Sequence, residues 1–451
     1  MDRSRNVDHA YERFMKENSS SMLRAIEKFE SIIHKSDFKF GRFTIPTFMK
    51  PHFLTREQER LLENVCDALV RMVDRVVNLY DQDVSIRKMF QLSQDAEDLV
   101  RIYPGYSQSA QLARLDSFLE GEAVKFLELN CDSPAGMGYA DCAEDILFGL
   151  EELGSFFGEF QFDRIKRIEK LLQALLAAYE AFGAYETPQI AIVDWKTVRT
   201  RPEFEIIKRF FEEKGYKTII CDPRDLRLKG GKLYHGSFRV DLVYRRVIFS
   251  ELLDRLRDVG DLIKAYRERA VCVVNPLRSR LTSSSTLLSI FSNPDYDHYF
   301  SAQENKIKSE HIPWTRRMSD AEKFYGNKKI YLIDFLKDEK ETLVLKPANS
   351  YGGKDVTIGC DTKDQDWNVA IDKAFKENWM IQEYIRAPVF SVPTPSNRNI
   401  EFALKKISTG NFVLGGSFAG SFTRVSDENV INISRGGGLI PAIFCESDVS
   451  R

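Results

Sequence analysis

Two triplets, Arg114-Leu115-Asp116 and Glu128-Leu129-Asn130, carry side chains of complementary chemistry. Side chains alternate along an extended strand, so the first and third residues of each triplet share a face. On neighbouring strands, Asp116, Glu128 and Asn130 would bring together two carboxylates and an amide oxygen. That is a hard, all-oxygen set of the kind Mg²⁺ takes. Arg114 would stand beside them, suited to a phosphate or a developing acyl phosphate. The same side chains also fit a salt-bridged sheet surface, and spacing alone leaves both readings open.

A second group lies in Val344–Gly359, VLKPANSYGGKDVTIG. Lys346 ends an apolar strand and would reach phosphates as a point charge. Gly352 and Gly353 would let backbone N–H groups close over them. The pattern is not the G-x-x-x-x-G-K-[ST] loop, and an exposed hairpin with a surface lysine fits it as well. Further on, WMIQEYI puts Gln382 and Glu383 at the end of an apolar strand. They are placed either to read an adenine and its ribose or to meet water at a sheet edge.

These groups need strands and turns to hold them. Ala123–Asn130 reads as a strand, followed by SPAGMG, where the chain must turn sharply. A helix is expected near Tyr139 and another from Phe162 to Phe182. Between Pro188 and Pro276, strands QIAIVDW, KTIICD, VDLVYRR and AVCVVNP alternate with the amphipathic helix PEFEIIKRFFEEKGY, and RLKGGKLYHG reads as a hairpin. Such alternation predicts a small parallel sheet. The first hundred residues read as mainly helical. Their clearest helix starts at Thr55, with Gln58 completing a capping box. Leu61, Leu62, Val65, Leu69, Val73, Val76 and Val77 form its core-facing stripe. Periodicity leaves open whether this region is a lid or a dimerisation element.

Composition narrows the class. With 451 residues the chain exceeds what one core supports, so several lobes are expected. The net charge of −2, from 65 basic and 67 acidic residues, argues against a nucleic-acid partner. Seven widely spaced cysteines without a C-x-x-C fit a reducing compartment. The polar N-terminus carries no signal-like apolar stretch, and no run is long enough to span a bilayer. A cytoplasmic protein without a membrane partner is the expectation.

Taken in this order, the groups resemble the synthetase module of glutathionylspermidine synthases and, more broadly, circularly permuted ATP-grasp ligases. The pattern is R-x-D, then E-x-N with Asp116 and Glu128 twelve residues apart, then a K-P strand, then a strand glutamine. The similarity continues through LNCDSPAGMGYAD, DLVYRR, VVNPLRSR, IPWTRRM and NVINISRGGGLIPA, from Tyr106 to Phe444. It implies an α/β, circularly permuted ATP-grasp fold with a small Rossmann-like subdomain and a helical N-terminal region. The implied division is residues 1–100 helical, 101–185 the metal-binding strands and their helices, 186–275 the Rossmann-like part, and 276–451 the nucleotide-binding lobe.

It also implies ATP and Mg²⁺. Asp116, Glu128 and Asn130 would hold the metal, and Arg114 would act as the catalytic cation. Lys346, Gly352, Gly353, Gln382, Glu383 and Arg424 would bind ATP, and Arg435 with Gly436, Gly437 and Gly438 would close over it. The expected activity joins a small-molecule carboxylate, of an amino acid or short peptide, to an amine through an acyl phosphate. One departure bears on this. Where the family carries a second phosphate-binding lysine, this chain has Ser284 or Ser285, leaving Arg278, Arg280 or Lys306 to supply the charge. A catalytically impaired ATP-binding protein acting through interaction is therefore the alternative. The papain-like amidase module of the bifunctional enzymes is not expected here.

Overall fold

The computed structural model describes residues 4–283, 285–319, 324–325, 328–348, 355–397 and 399–445. In chain order, the strands that position the site begin with β1 (His52–Thr55), β2 (Leu112–Glu120) and β3 (Ala123–Asn130). Next come β4 (Ile190–Val193), β5 (Thr218–Cys221), β6 (Leu242–Arg245) and β7 (Cys272–Val274). Then follow β8 (Thr315–Arg317), β9 (Leu343–Lys346), β10 (Thr357–Ile358) and β11 (Met380–Glu383). The last are β12 (Val389–Ser396), β13 (Asn399–Leu414), β14 (Ser417–Ser426) and β15 (Gly438–Cys445).

These strands form three sheets. The largest, eight-stranded, runs β1-β15-β14-β13-β2-β3, with β12 paired to β13 and Phe162–Asp163 paired to β15. A four-stranded sheet, β7-β6-β4-β5, is parallel throughout, as the alternating pattern predicts. Another four-stranded sheet, β8-β11-β9-β10, is antiparallel and carries Lys346, Gln382 and Glu383.

The helix after β1, Arg56–Gln82, starts where the capping box puts it. Thr55 Oγ1 accepts from Gln58 N at 3.1 Å, and Gln58 Oε1 accepts from Thr55 N at 2.9 Å. Its stripe from Leu62 to Val77 is buried. The first hundred residues are not helical alone: β1 lies parallel to β15, so this region is built into the large sheet. The helix expected from Phe162 begins instead at Arg167. Phe162 pairs with Cys445, and its ring packs among Phe53, Phe148, Phe157 and Phe160. Strand pairing and aromatic packing override the helical spacing there.

Asn275, fully buried just past β7, fastens the parallel sheet to the large one. Its Oδ1 accepts from Leu112 N at 2.8 Å, and its Nδ2 donates to the carbonyl oxygens of Leu112 and Cys131, each at 2.8 Å. Arg245, at the end of β6, adds a second tie by donating to Asp132 Oδ1 at 2.5 Å and to Ser279 Oγ at 2.7 Å. The start of β2 and the exit of β3 are thereby held in register by the neighbouring sheet.

Replacing Asn275 with alanine strands those backbone groups in the core. We expect it to cost roughly 3 kcal/mol or more, since each buried unpaired group costs about 1–3 kcal/mol. Thr55→Ala should cost only about 1 kcal/mol, the usual value of an N-cap. Urea unfolding of both variants measures this, and an Asn275→Ala loss no larger than that of Thr55→Ala contradicts the fastening role.

Candidate active site

β2 and β3 are antiparallel neighbours, with Arg114 opposite Asn130 and Asp116 opposite Glu128. The four side chains therefore share one face. The pairing slips directly after Asp116, where Ser117 faces Phe126 and Leu127 becomes the extra residue of a bulge. The carbonyl oxygen of Leu127 accepts a hydrogen bond from Lys346 Nζ at 3.0 Å. An irregularity in one sheet thus anchors the lysine of another.

Asp116 is the most heavily bonded member. Arg114 grips it with a fork, Nε to Oδ1 at 2.8 Å and Nη2 to Oδ2 at 2.9 Å. Asn130 Nδ2 donates to Oδ2 at 2.8 Å, and Arg424 Nη2 approaches the same oxygen at 3.0 Å. Arg114 Nη1 donates onward to the Ala135 carbonyl at 2.8 Å, which fixes the turn after β3. Gly410, opposite Asp116 on β13, makes room for this crowding. A Cβ there would lie 2.7 Å from the Phe422 ring and 3.1 Å from Arg114 Cδ.

Glu128 differs. It is half-buried, lines the cleft, and has no hydrogen bond or ion pair among the described residues. Burial and then the Asp116 charge push its carboxyl above the ordinary range, more than Arg114, Lys346 and Arg424 offset. For Asp116, burial also acts upward, but Arg114 and then Arg424 outweigh it and hold the carboxyl below the ordinary range. The amide oxygen of Asn130 takes no hydrogen bond among the described residues either. An unpaired carboxylate beside a second carboxylate and a free amide oxygen suits a hard cation. Among the described residues, no group of three or more His, Cys, Asp and Glu side chains is arranged for a metal.

The facing wall comes from the four-stranded antiparallel sheet. Lys346 Nζ, besides Leu127, donates to Gln382 Oε1 at 2.9 Å, and Gln382 Nε2 donates to Thr315 Oγ1 at 3.0 Å. Both ends of the Gln382 amide are thus engaged. Glu383 Oε2 accepts from Trp314 N at 3.4 Å. Burial lowers the Lys346 ammonium to about 8 against the pull of Glu128.

One cleft is lined by Asp116, Glu128, Lys346, Gln382, Glu383 and Arg424, with Arg114 and Asn130 bonded behind Asp116. Gly352, Gly353 and Ser284 lie outside the described residues. Sequence reasoning missed Ser408 and Asn429 on the same lining. A serine in a polar strand and an asparagine in a loop give no pattern to find. Ser285 lines the cleft where a second lysine was expected. Arg278 is tied to Asp81 at 2.6 Å and Lys306 lies 3.8 Å from Glu310, whereas Arg280 has no ion pair or hydrogen bond among the described residues. Arg435 stands at the end of a short turn just before Gly436, which takes a φ of 89°.

No family model matches this chain. A putative glutamate–cysteine ligase 2-2 from Frankia casuarinae is 26% identical over 247 residues, which cover 52% of this chain and 26% of that protein. The chain therefore spans only a minor part of that relative's length. Among solved structures, a glutathione synthetase-like effector from Globodera pallida, in apo form, is similar with a TM-score of 0.60 and 12% identity, over 89% of this chain and 90% of the other. A putative γ-glutamylcysteine synthetase from Methylobacillus flagellatus aligns over 88% and 90% of the two chains, at 11% identity and a TM-score of 0.42. The chain shares the mixed α/β fold of the Globodera protein.

Lys346 gives the site a pH signature. Its folded pKa of about 8 lies below the ordinary 10.5. Between those values the unfolded chain keeps a proton that the folded chain has lost, so stability rises with pH across the window. The difference in unfolding free energy between the native chain and Lys346→Met should climb from pH 8 to 10.5. A difference that is flat throughout, or falls, contradicts the buried, charge-strained lysine.

Proposed function

We propose that this chain is an ATP- and Mg²⁺-dependent carboxylate–amine ligase of the circularly permuted ATP-grasp type, resembling the synthetase module of glutathionylspermidine synthases. The observation that carries the reading is the convergence in one cleft of Asp116 and Glu128 from one sheet with Lys346 from another, Arg424 closing the charge pattern. In this reading the chain order is permuted, because the carboxylate strands β2 and β3 precede the lysine strand β9.

Lys346 and Arg424 hold the nucleotide phosphates from opposite walls, and Glu383 lines the base and ribose end. Arg114 keeps Asp116 oriented by its fork and adds positive charge behind it, so its part in the chemistry runs through Asp116. Bound by Asp116, Glu128 and Asn130, Mg²⁺ would neutralise charge on that group. The substrate carboxylate attacks the terminal phosphorus, and ADP leaves. The amine then displaces phosphate from the acyl phosphate and loses a proton, leaving an amide. Positioning and charge neutralisation supply most of the rate, since phosphoryl transfer needs little covalent help.

The similar proteins' names speak of glutamate–cysteine ligation and of glutathione synthesis. From them we take an amino acid or short peptide as the carboxylate substrate. All seven cysteines are free, in keeping with a cytoplasmic setting. No described helix is long and apolar enough to cross a membrane. A second reading, a nucleotide binder with impaired catalysis, is favoured by Ser285 standing on the cleft where a lysine was expected.

The test is release of ADP and phosphate from Mg-ATP across a panel of amino acids, γ-glutamyl peptides and amines. We expect turnover that needs both a carboxylate and an amine. Glu128→Gln and Lys346→Ala should lower it about 10²–10³-fold, as removal of one preorganised charge partner does elsewhere. Tight nucleotide binding without turnover under every combination would decide for the impaired binder.

A further inference from the structure

Buried side-chain nitrogen and oxygen atoms without a hydrogen-bond partner are costly, and in native proteins they call for an occupant. Of those in the described residues, the ones that belong to the cleft lining are Ser408 Oγ and Arg424 Nε. They are neighbours. Ser408 on β13 is the direct register partner of Arg424 on β14, so both project from the same face at close range. That face is the one bearing Asp116: Gly410, two residues along β13, is Asp116's own register partner. Both residues are buried, each 6% exposed. Arg424 spends Nη2 on Asp116 Oδ2 at 3.0 Å, while its Nε–H has no hydrogen-bond partner.

Two unspent polar groups on register partners, a guanidinium N–H and a hydroxyl able to donate, suit an oxyanion oxygen. Because Arg424 is pinned to Asp116, this seat lies next to the carboxylate pair. We propose that Ser408 Oγ and Arg424 Nε form a two-donor seat for a phosphoryl oxygen on the large-sheet wall of the cleft, with Ser408 a binding residue in its own right. The proposal rests on the nucleotide reading above and deepens it. The phosphoryl oxygen belongs either to the terminal group of bound ATP or to free phosphate left after transfer, and binding measurements separate the two.

The experiment is calorimetric titration of the full chain with Mg-ATP, Mg-ADP and inorganic phosphate, using the native protein, Ser408→Ala and Ser408→Thr, with thermal unfolding of each as a control. We expect Ser408→Ala to weaken Mg-ATP binding about 10–100-fold, the usual effect of losing a hydrogen bond to a charged group. Mg-ADP affinity and the unfolding midpoint should be unchanged. Ser408→Thr keeps the hydroxyl, suits a strand, and should restore ATP affinity. A loss confined to inorganic phosphate supports the seat and makes free phosphate its occupant. Unchanged binding of all three ligands overturns it. So does an equal loss for ATP and ADP that threonine does not restore, which would make Ser408 a packing residue. A native chain that binds phosphate but neither nucleotide removes the nucleotide reading, and the effect of Ser408→Ala on phosphate still decides the seat. A native chain that binds ATP with Ser408→Ala indistinguishable from it removes the seat alone.

Discussion

Two carboxylates held side by side on one face of a sheet govern this structure. Asp116 and Glu128 face each other across β2 and β3, and like charges so close, one buried and the other half-buried, raise the cost of ionisation. Asp116 is relieved from two sides, by Arg114 on its own strand and Arg424 two strands away. Glu128 receives only the longer-range pull of the cations around it. The imbalance is a reason to read the site as built for a cation.

Much of the remaining architecture keeps that pair in place. Asn275 and Arg245 hold the ends of β2 and β3 from the parallel sheet, and Gly410 leaves the space that Arg114 and Phe422 fill. Hydrogen bonds tie the antiparallel sheet and its flanks to the large one. Lys346 donates to the Leu127 carbonyl, at the bulge. Asn429 Nδ2, on the loop between β14 and β15, donates to the two carboxylate oxygens of Asp361, just past β10, at 2.8 and 2.6 Å. The cleft lies between these ties, so its two walls are spaced by hydrogen bonds and not by packing alone.

What the sequence discloses follows from how local each determinant is. Arg114, Asp116, Glu128 and Asn130 are legible because strand alternation and a short hairpin fix their relation within seventeen residues of chain. The Thr55 capping box and the parallel-sheet strands are legible for the same reason. The bulge at Leu127 is not, because it arises from how β2 and β3 settle against a third strand and a lysine more than two hundred residues away. The pairing of β1 with β15 joins opposite ends of the chain, and no local period encodes it. The engagement of Gln382 with Lys346 and Thr315 changes a residue expected to face a base into one that also orients a lysine. Ser408 escapes because one serine in a strand carries no signal until its register partner is known.

In the proposed reading the two walls form one nucleotide and cation site. A crystal structure with Mn²⁺ and a non-hydrolysable ATP analogue tests it most directly, because Mn²⁺ can be located by its anomalous scattering. The expected result is a single anomalous peak bounded by Asp116, Glu128 and Asn130, with the analogue's phosphates between it and Lys346. A peak elsewhere, or an analogue bound away from the cleft between the two sheets, would contradict it.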